Sequence, residues 1–455
     1  MDQLLHYVKE WNGLLTGPVL MVALVGVGIY FAVRLRLVQF RRFKASFKDT
    51  FGGISFGSKA DKKGMSSFQS LATAIAAQVG TGNLAGAATA IAAGGPGAIF
   101  WMWLSALLGL GTIYAEATAA QKYKYTTPDG ETLGGPVYYI MAGIKGKPGK
   151  ILAKIFAVCI ILALGFFGIM VQSNSIGASF KSAFHVNPLV VGIIIAIIVM
   201  IIVLGGVGRI ASVTEKMVPL MAGFYIIGAL VIVLMNIQGV PEVFRQIFVG
   251  AFDPSAVMGG AIGVTIKQSI RYGVARGLFS NEAGMGSTPH AHALAKVDHP
   301  CRQGSVAMMG VFIDTFVILT LTALVIILAG SWKDSSLSGI TITQDAFTQT
   351  FHGFGSIFIA ICMLFFALST IIGWYFFAQL NVKFLAKKYQ KQVVVIFSLI
   401  VAVFIVLGSV LKVELVWELS DMFNSLMVLP NLIGLLAVSS VIVKCNKEYE
   451  KDFLK

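Results

Sequence analysis

Charge is scarce in this sequence. Of 455 residues only 12% are Asp, Glu, Lys or Arg, against roughly a quarter in a soluble domain. A soluble chain of this length would divide into two or three domains, and the charge needed to cover their surfaces is missing. Acidic residues are the rarer sign, 21 against 35 Lys and Arg, which leaves a net charge of +14. Cysteine is also sparse. Cys159, Cys301, Cys362 and Cys445 show no paired spacing, which argues against a disulfide framework or a zinc site. No cleavable leader is evident: the first apolar run starts near Leu14, lacks a small-residue end, and continues into Arg34 and Arg36.

What is present is apolar. Hydrophobic residues make up 56% of the chain, with 49 glycines and a mean hydropathy of +0.82. That composition fits helices packed in a bilayer, where small residues permit close backbone approach. Eleven segments meet the length requirement of about 20 mostly apolar residues: 14–34, 66–93, 97–121, 151–180, 188–208, 214–237, 256–291, 303–331, 353–382, 393–411 and 416–443. Of the 35 Lys and Arg, 27 fall in alternate loops and the carboxyl tail, five in the opposite loops, and Lys267, Arg271 and Arg276 inside the seventh span. The bias places the chain in the cell membrane, amino terminus outside and carboxyl terminus cytoplasmic. Spread along a membrane face, these basic residues are not a nucleic-acid site. In the first basic loop Phe40, Phe43, Phe47 and Phe51 recur at helical spacing among Arg41, Arg42, Lys44 and Lys48, a pattern for a helix in the headgroup layer. Ile340 to Phe351 reads as a short helix capping the outer mouth.

Apolar periodicity says little where nearly everything is apolar, so the interruptions carry the signal. Span two contains Gln78-Val79-Gly80-Thr81-Gly82-Asn83 near its centre, and span seven contains Gly277-Leu278-Phe279-Ser280-Asn281-Glu282-Ala283-Gly284. Unwound backbone at membrane depth is tolerated only where protein buries it or it lines a cavity. Asn83 to Gly86 and Asn281 to Gly284 share N-x-A-G, and each opens a set of five spans. An odd number reverses the direction of the second set. The expected architecture is therefore all-α: an extra amino-terminal helix and basic loop (1–65), a first five-helix repeat (66–237), an inverted second repeat (256–443) and a cytoplasmic tail (444–455). Broken helices at matching positions mark a transporter's binding site. Glycine-mediated helix packing is the plainer reading, but packing alone does not call for Gln, Asn and Ser at that depth.

At a break, the amides that begin a half-helix lack partners and carry partial positive charge. Gly82 and Asn83 thus offer donors for a carboxylate, while free carbonyls around Ala76 and Val79 suit a cation. Span nine adds Ser369 and Thr370, adjacent hydroxyls that complete an oxygen shell for a hard cation such as sodium if that span faces the first break. Otherwise they bond back to their own helix. Trp374, one turn beyond Thr370, would limit the pocket to small side chains. Phe166, Phe167 and Gln172 in span four are further candidates. Lys267 and Arg271 belong in a wet vestibule, and Arg276, Glu282 and Glu116 either pair with one another or gate the path. The glycine cores hold no titratable group except Glu282, which favours sodium over protons. His290 and His292 form an H-x-H, but without carboxylate or Cys neighbours at ligand spacing it reads as packing.

Gly94 to Gly109, G-G-P-G-A-I-F-W-M-W-L-S-A-L-L-G, resembles the signature of the sodium:alanine (alanine/glycine:cation) symporter family. Asn281 to Ala293, N-E-A-G-M-G-S-T-P-H-A-H-A, is also similar to it. The resemblance implies the inverted-repeat fold of amino-acid/sodium symporters, whose first core helix carries V-G-x-G-N, here Val79 to Asn83. It implies that amides near Thr81 and Gly82 bind the substrate carboxylate. It also implies sodium on the carbonyls of Ala76, Val79 and Phe366 with the hydroxyls of Ser369 and Thr370, and Gln78, Thr370 and Trp374 beside the substrate. The seventh span, with Arg276 and N-E-A-G, departs from the wider group; Gly277, Phe279 and Ser280 are its candidates.

These features converge on a symporter importing alanine or glycine with sodium by alternating access, without a further cofactor. Proton coupling on the same fold is the alternative. A channel would want rings of carbonyls or charges along a pore. An enzyme would want a nucleophile and base, or a metal set, at one depth.

Overall fold

The computed structural model describes residues 2–14, 19–52, 64–128, 130–258, 265–386 and 389–453. Among them, seven helices are long and apolar enough to cross a membrane: Ala98–Lys122, Lys147–Phe184, Gly206–Met235, Pro300–Ala329, Gly353–Ala386, Gln390–Val410 and Glu414–Ala437. Two shorter apolar helices accompany them, Leu20–Arg34 and Pro188–Val203. The second and seventh spans are absent from that set because each is interrupted. Several helix ends differ from the spans read in the sequence: span five ends at Val203 and span six already begins at Gly206, and spans one, seven and eleven differ as well. Asp2–Leu14 is helical, and its Lys9 and Asn12 bond to Glu414 and Glu418 of the eleventh span. The seventh span starts only at Ile266, and residues 259–264 lie outside the described set. The eleventh ends at Ala437 and gives way to a polar helix, Ser439–Phe453.

Both interrupted helices begin alike. Ser66 caps the Gln69 amide while the Gln69 side chain returns to the Ser66 amide. Thr265 and Gln268 repeat the device at the seventh span. Such reciprocal caps satisfy two orphan donors and fix where a helix starts.

Packing follows a five-span offset. Span three lies against spans seven and eight, span four against spans nine and ten, and span five against span ten. Spans two, three, seven and eight form one group, and spans four, five, nine and ten a second. The sixth span and the ninth pack on the first half of span two, Ser67–Gln78. The two broken helices thus sit at the seam.

Around the bundle, Val38–Arg41 and Phe43–Phe51 form the expected basic helix, with Phe40 and Phe47 exposed and Phe43 edge-on to Phe312. Ile340–Phe351 is helical as well, and its Thr343 hydroxyl donates to the Leu84 carbonyl.

Candidate functional site at the two breaks

The first break is short. Helix Ser67–Gln78 ends at an extended Val79 (φ −80°, ψ 92°), and helical backbone resumes at Thr81, running as a π-turn over Gly82–Gly86. The Asn83 side-chain oxygen accepts from the Gly80 amide at 3.0 Å. Gln172 Oε1 accepts from both the Thr81 amide at 3.1 Å and the Thr81 hydroxyl at 2.6 Å. Two donors at a helix start therefore converge on one oxygen, the geometry that suits a carboxylate. The Gln172 Nε2 is buried with no hydrogen-bond partner. No other residue fits at position 80, where a Cβ would come within 2.3 Å of Thr370 Oγ1.

On the other face of the break, Thr370 Oγ1 lies 3.0 Å from the Ala76 carbonyl, 3.4 Å from that of Val79 and 3.0 Å from that of Phe366. One hydroxyl proton cannot serve three carbonyls at once. The excess of oxygen lone pairs is an arrangement that suits a hard cation. Span nine therefore does face the first break. Ser369 Oγ donates to the Phe366 carbonyl at 2.8 Å and also lies 3.5 Å from Met221 Sδ of the sixth span, so no bond of its own reaches the first break.

The second break is longer and built differently. Helix Ile266–Asn281 ends on Glu282 in the left-handed region (φ 58°), and Gly284 and Gly286 follow at φ 89° and 78°. Helix returns only at Pro289–Ala293. Glu116 of span three accepts from the Gly284 amide at 2.9 Å, the Gly286 amide at 3.0 Å and Asn431 Nδ2 at 2.6 Å. Glu282 accepts from the Ser287 hydroxyl and from Trp374 Nε1. The shared N-x-A-G is not one structure: Asn83–Gly86 lies in helix after its break, whereas Asn281 caps the Ala283 amide at a helix end.

The breaks touch. A Cβ on Gly82 would come within 2.9 Å of Ser280 Cα and 3.3 Å of the Phe279 ring. Gln78 Nε2 donates to the Asn281 carbonyl at 2.7 Å. Phe279 meets Trp374 edge-on at 5.6 Å. Between the breaks stands Asp314 of span eight, fully buried, accepting from Asn83 Nδ2 at 2.7 Å, Ser280 Oγ at 3.0 Å and Thr315 Oγ1 at 2.9 Å. Sequence reasoning passes over this residue, although a lone Asp in an apolar run was the signal that should find it.

Other candidates lie elsewhere. The Phe167 ring stacks on Phe423 of span eleven at 4.7 Å. Gly277 packs on span three, where a Cβ would approach Ser105 and Met102. Arg276 pairs with Asp421 at 2.8 Å and covers the Trp417 ring; it does not pair with Glu282 or Glu116, because helix Ile266–Asn281 turns it toward span eleven. Lys267 and Arg271 are exposed. His290 and His292 do not form a metal pair: His290 bonds to Ser287 and Asn381, and His292 to Gln303. Beside Tyr375, Gln379, Lys383 and Ser398 a cavity of about 660 Å³ opens at the basic end of the bundle.

Two interrupted helices meeting at the seam of two helix groups, with carbonyls, helix-start amides and hydroxyls gathered there, define a secondary transporter of the inverted-repeat class. A crystal structure of MhsT in complex with L-phenylalanine shares the fold, with a TM-score of 0.58 at 14% identity over 84% of this chain and 97% of that one. The sodium:alanine symporter family model matches residues 1–455, and the chain belongs to that family. Its relatives include the sodium/alanine symporter AgcS of Methanococcus maripaludis, 40% identical over 98% of this chain and 97% of that protein. The probable sodium/glutamine symporter GlnT of Bacillus subtilis is also 40% identical, over 99% and 92%. The chain is a multi-pass membrane transporter and not an enzyme.

Proposed function

We propose that the protein imports a small neutral amino acid, alanine or glycine, together with sodium. The observation that carries this reading is the pairing of two opposite sites across one two-residue break. Thr81 offers an amide and a hydroxyl to a carboxylate, and Ala76, Val79, Phe366 and Thr370 offer oxygens to a cation. In this reading Gln172 Oε1 holds the place of the substrate carboxylate, and Gln172 yields it when substrate arrives. Ser369 joins the cation by turning its hydroxyl from Met221. Trp374, held by Glu282, and Phe279 close the pocket around a short side chain.

The domain plan is the one read from the sequence, eleven spans with repeats at 66–237 and 256–443. The amino terminus is outside, and the 660 Å³ cavity belongs to the inner path. Inward sodium movement supplies about 2.3 kcal/mol per charge per 100 mV. Alternating access follows when one helix group rocks against the other around the seam.

A second reading, proton coupling, is favoured by Asp314, a carboxylate lodged against both breaks. It removes the argument that the site lacks a titratable group. One experiment separates the two: alanine and glycine uptake by the purified protein in liposomes, driven in turn by sodium, potassium and proton gradients. Sodium-driven uptake that survives Asp314→Asn supports the first reading. Uptake driven by protons without sodium, and lost in Asp314→Asn, overturns it.

A further inference from the structure

Sequence spacing gave no reason to join any of the four cysteines, yet the fold brings two of them together. Cys301 opens span eight, and Cys445 lies on the carboxy-terminal helix Ser439–Phe453. Their sulfurs and a ring nitrogen of His299 all lie within 4.8 Å of one another. Both thiols are buried and free.

The His299 ring decides what chemistry this cluster suits. Its Nδ1 accepts from the Cys301 amide at 3.2 Å as the helix cap, so the neutral ring carries its proton on Nε2. That Nε2 faces Cys445 Sγ at 3.9 Å. A metal bound through Nε2 would move the proton to Nδ1 and set two N–H groups against each other. Cations and acids both border the cluster: Arg42 and Lys122, against Glu448 and Glu450, the latter paired with Arg42 at 3.3 Å. Arg42, buried, donates to Tyr114 at 2.6 Å and to the Asn446 carbonyl, and its guanidinium sits 4.7 Å over the Tyr449 ring that stacks on His299. The hydrogen bond from Cys301 holds the Cys445 thiol below its ordinary range, against burial and with help from the Lys122 ammonium. A thiol lowered in this way yields its thiolate, the reactive form of cysteine, more readily than an ordinary one.

We infer that Cys301 and Cys445 form a redox-sensitive thiol pair, oxidised to a disulfide by hydroperoxides, that fastens the carboxy-terminal helix to span eight. The Cys445 thiolate attacks a peroxide oxygen, so that an S–O bond forms, the O–O bond breaks, and the leaving oxygen takes a proton from solvent. The Cys301 sulfur then attacks the sulfenic sulfur: an S–S bond forms, the S–O bond breaks, and the thiol proton leaves with hydroxide as water. Two electrons pass from the thiols to the peroxide. His299 is a positioning residue that directs its N–H at Cys445. The consequence for transport lies further along span eight, which packs on span three and carries Asp314 to the breaks. A bond to the carboxy-terminal helix restrains that span at its basic end. The effect on uptake rests on the transport reading, whereas the disulfide itself does not.

The test uses the full chain in liposomes, treated with hydrogen peroxide, alkylated, digested and read by mass spectrometry. The expected product is a Cys301–Cys445 linked peptide pair, reversed by dithiothreitol, with neither Cys301→Ser nor Cys445→Ser forming it. Alanine uptake falls about fivefold or more on oxidation, since helix motion limits turnover, and both variants keep their uptake under peroxide. Free, alkylated thiols after peroxide overturn the pair. So does one zinc ion per chain that shields both thiols from alkylation until a chelator removes it. Linkage with unchanged uptake overturns the restraint on span eight. If no variant takes up alanine before oxidation, the transport reading fails while the linked peptide still decides the thiol pair.

Discussion

The two breaks occupy corresponding places in the two repeats, and they are held by opposite means. At the first, two residues are unwound and the groups that meet the backbone are neutral, the Gln172 oxygen, the Asn83 oxygen and the Thr370 hydroxyl, with Asp314 holding Asn83 from behind. At the second, residues 282–288 leave the helix and two buried carboxylates, Glu116 and Glu282, hold them. A neutral hydrogen bond contributes about 1 kcal/mol net, and one to a charged group about 1.5–3. A single neutral cap is easier to displace than a buried carboxyl group that gathers two or three donors. In the proposed reading, binding falls to one copy of the inverted repeat and rigidity to the other.

Four substitutions put this division at risk. Glu116→Ala should have the largest effect, because it strands the buried Gly284 and Gly286 amides and removes one of the bonds that hold Asn431. A loss of about 3 kcal/mol or more is expected, seen as a lower melting temperature in detergent and absent uptake. A stable, active variant would show that the second break holds itself. Next comes Ser369→Ala combined with Thr370→Ala, which should abolish sodium-dependent alanine binding while the protein remains folded. Unchanged sodium dependence would move the cation away from span nine and toward Asp314. Gln172→Ala removes only a neutral cap; alanine affinity measured by calorimetry should change about tenfold, the equivalent of one hydrogen bond, with the melting temperature nearly constant. A collapse in stability would make the first break as structural as the second. Trp374→Phe keeps a ring against Phe279 but loses the bond to Glu282. The smallest effect belongs here, about a threefold shift in the preference between alanine and larger side chains, read by competition.

Much of the first break was legible because its signals are local. Val79-Gly80-Thr81-Gly82-Asn83 breaks an apolar run, and adjacent hydroxyls at Ser369 and Thr370 are conspicuous at that depth. Whether those hydroxyls faced the break was a question of tertiary contact, and only the fold answers it. The second break was harder. Its supports come from Glu116 and Asn431, distant in sequence, and no spacing rule connects them. Asp314 is hidden for a different reason: span eight carries no Gly-rich interruption in its sequence to mark it. Phe167 misled because an aromatic in a core helix is compatible with either face, and here it packs on Phe423. The cysteines show the same limit, since Cys301 and Cys445 meet only once the carboxy-terminal helix folds back on span eight.

The helix Ile340–Phe351 ties these parts together at the opposite end. Its Thr343 hydroxyl holds the Leu84 carbonyl of the first broken helix, while Gln344 Nε2 reaches the Ser179 carbonyl of span four and Ser356 of span nine. Successive residues of one short helix thus grip span two of one helix group and spans four and nine of the other. When the groups separate, one of these grips has to let go first. In the proposed cycle the order of release would set which gate a substrate meets open, a timing carried by Thr343 and Gln344, which lie outside the proposed binding site.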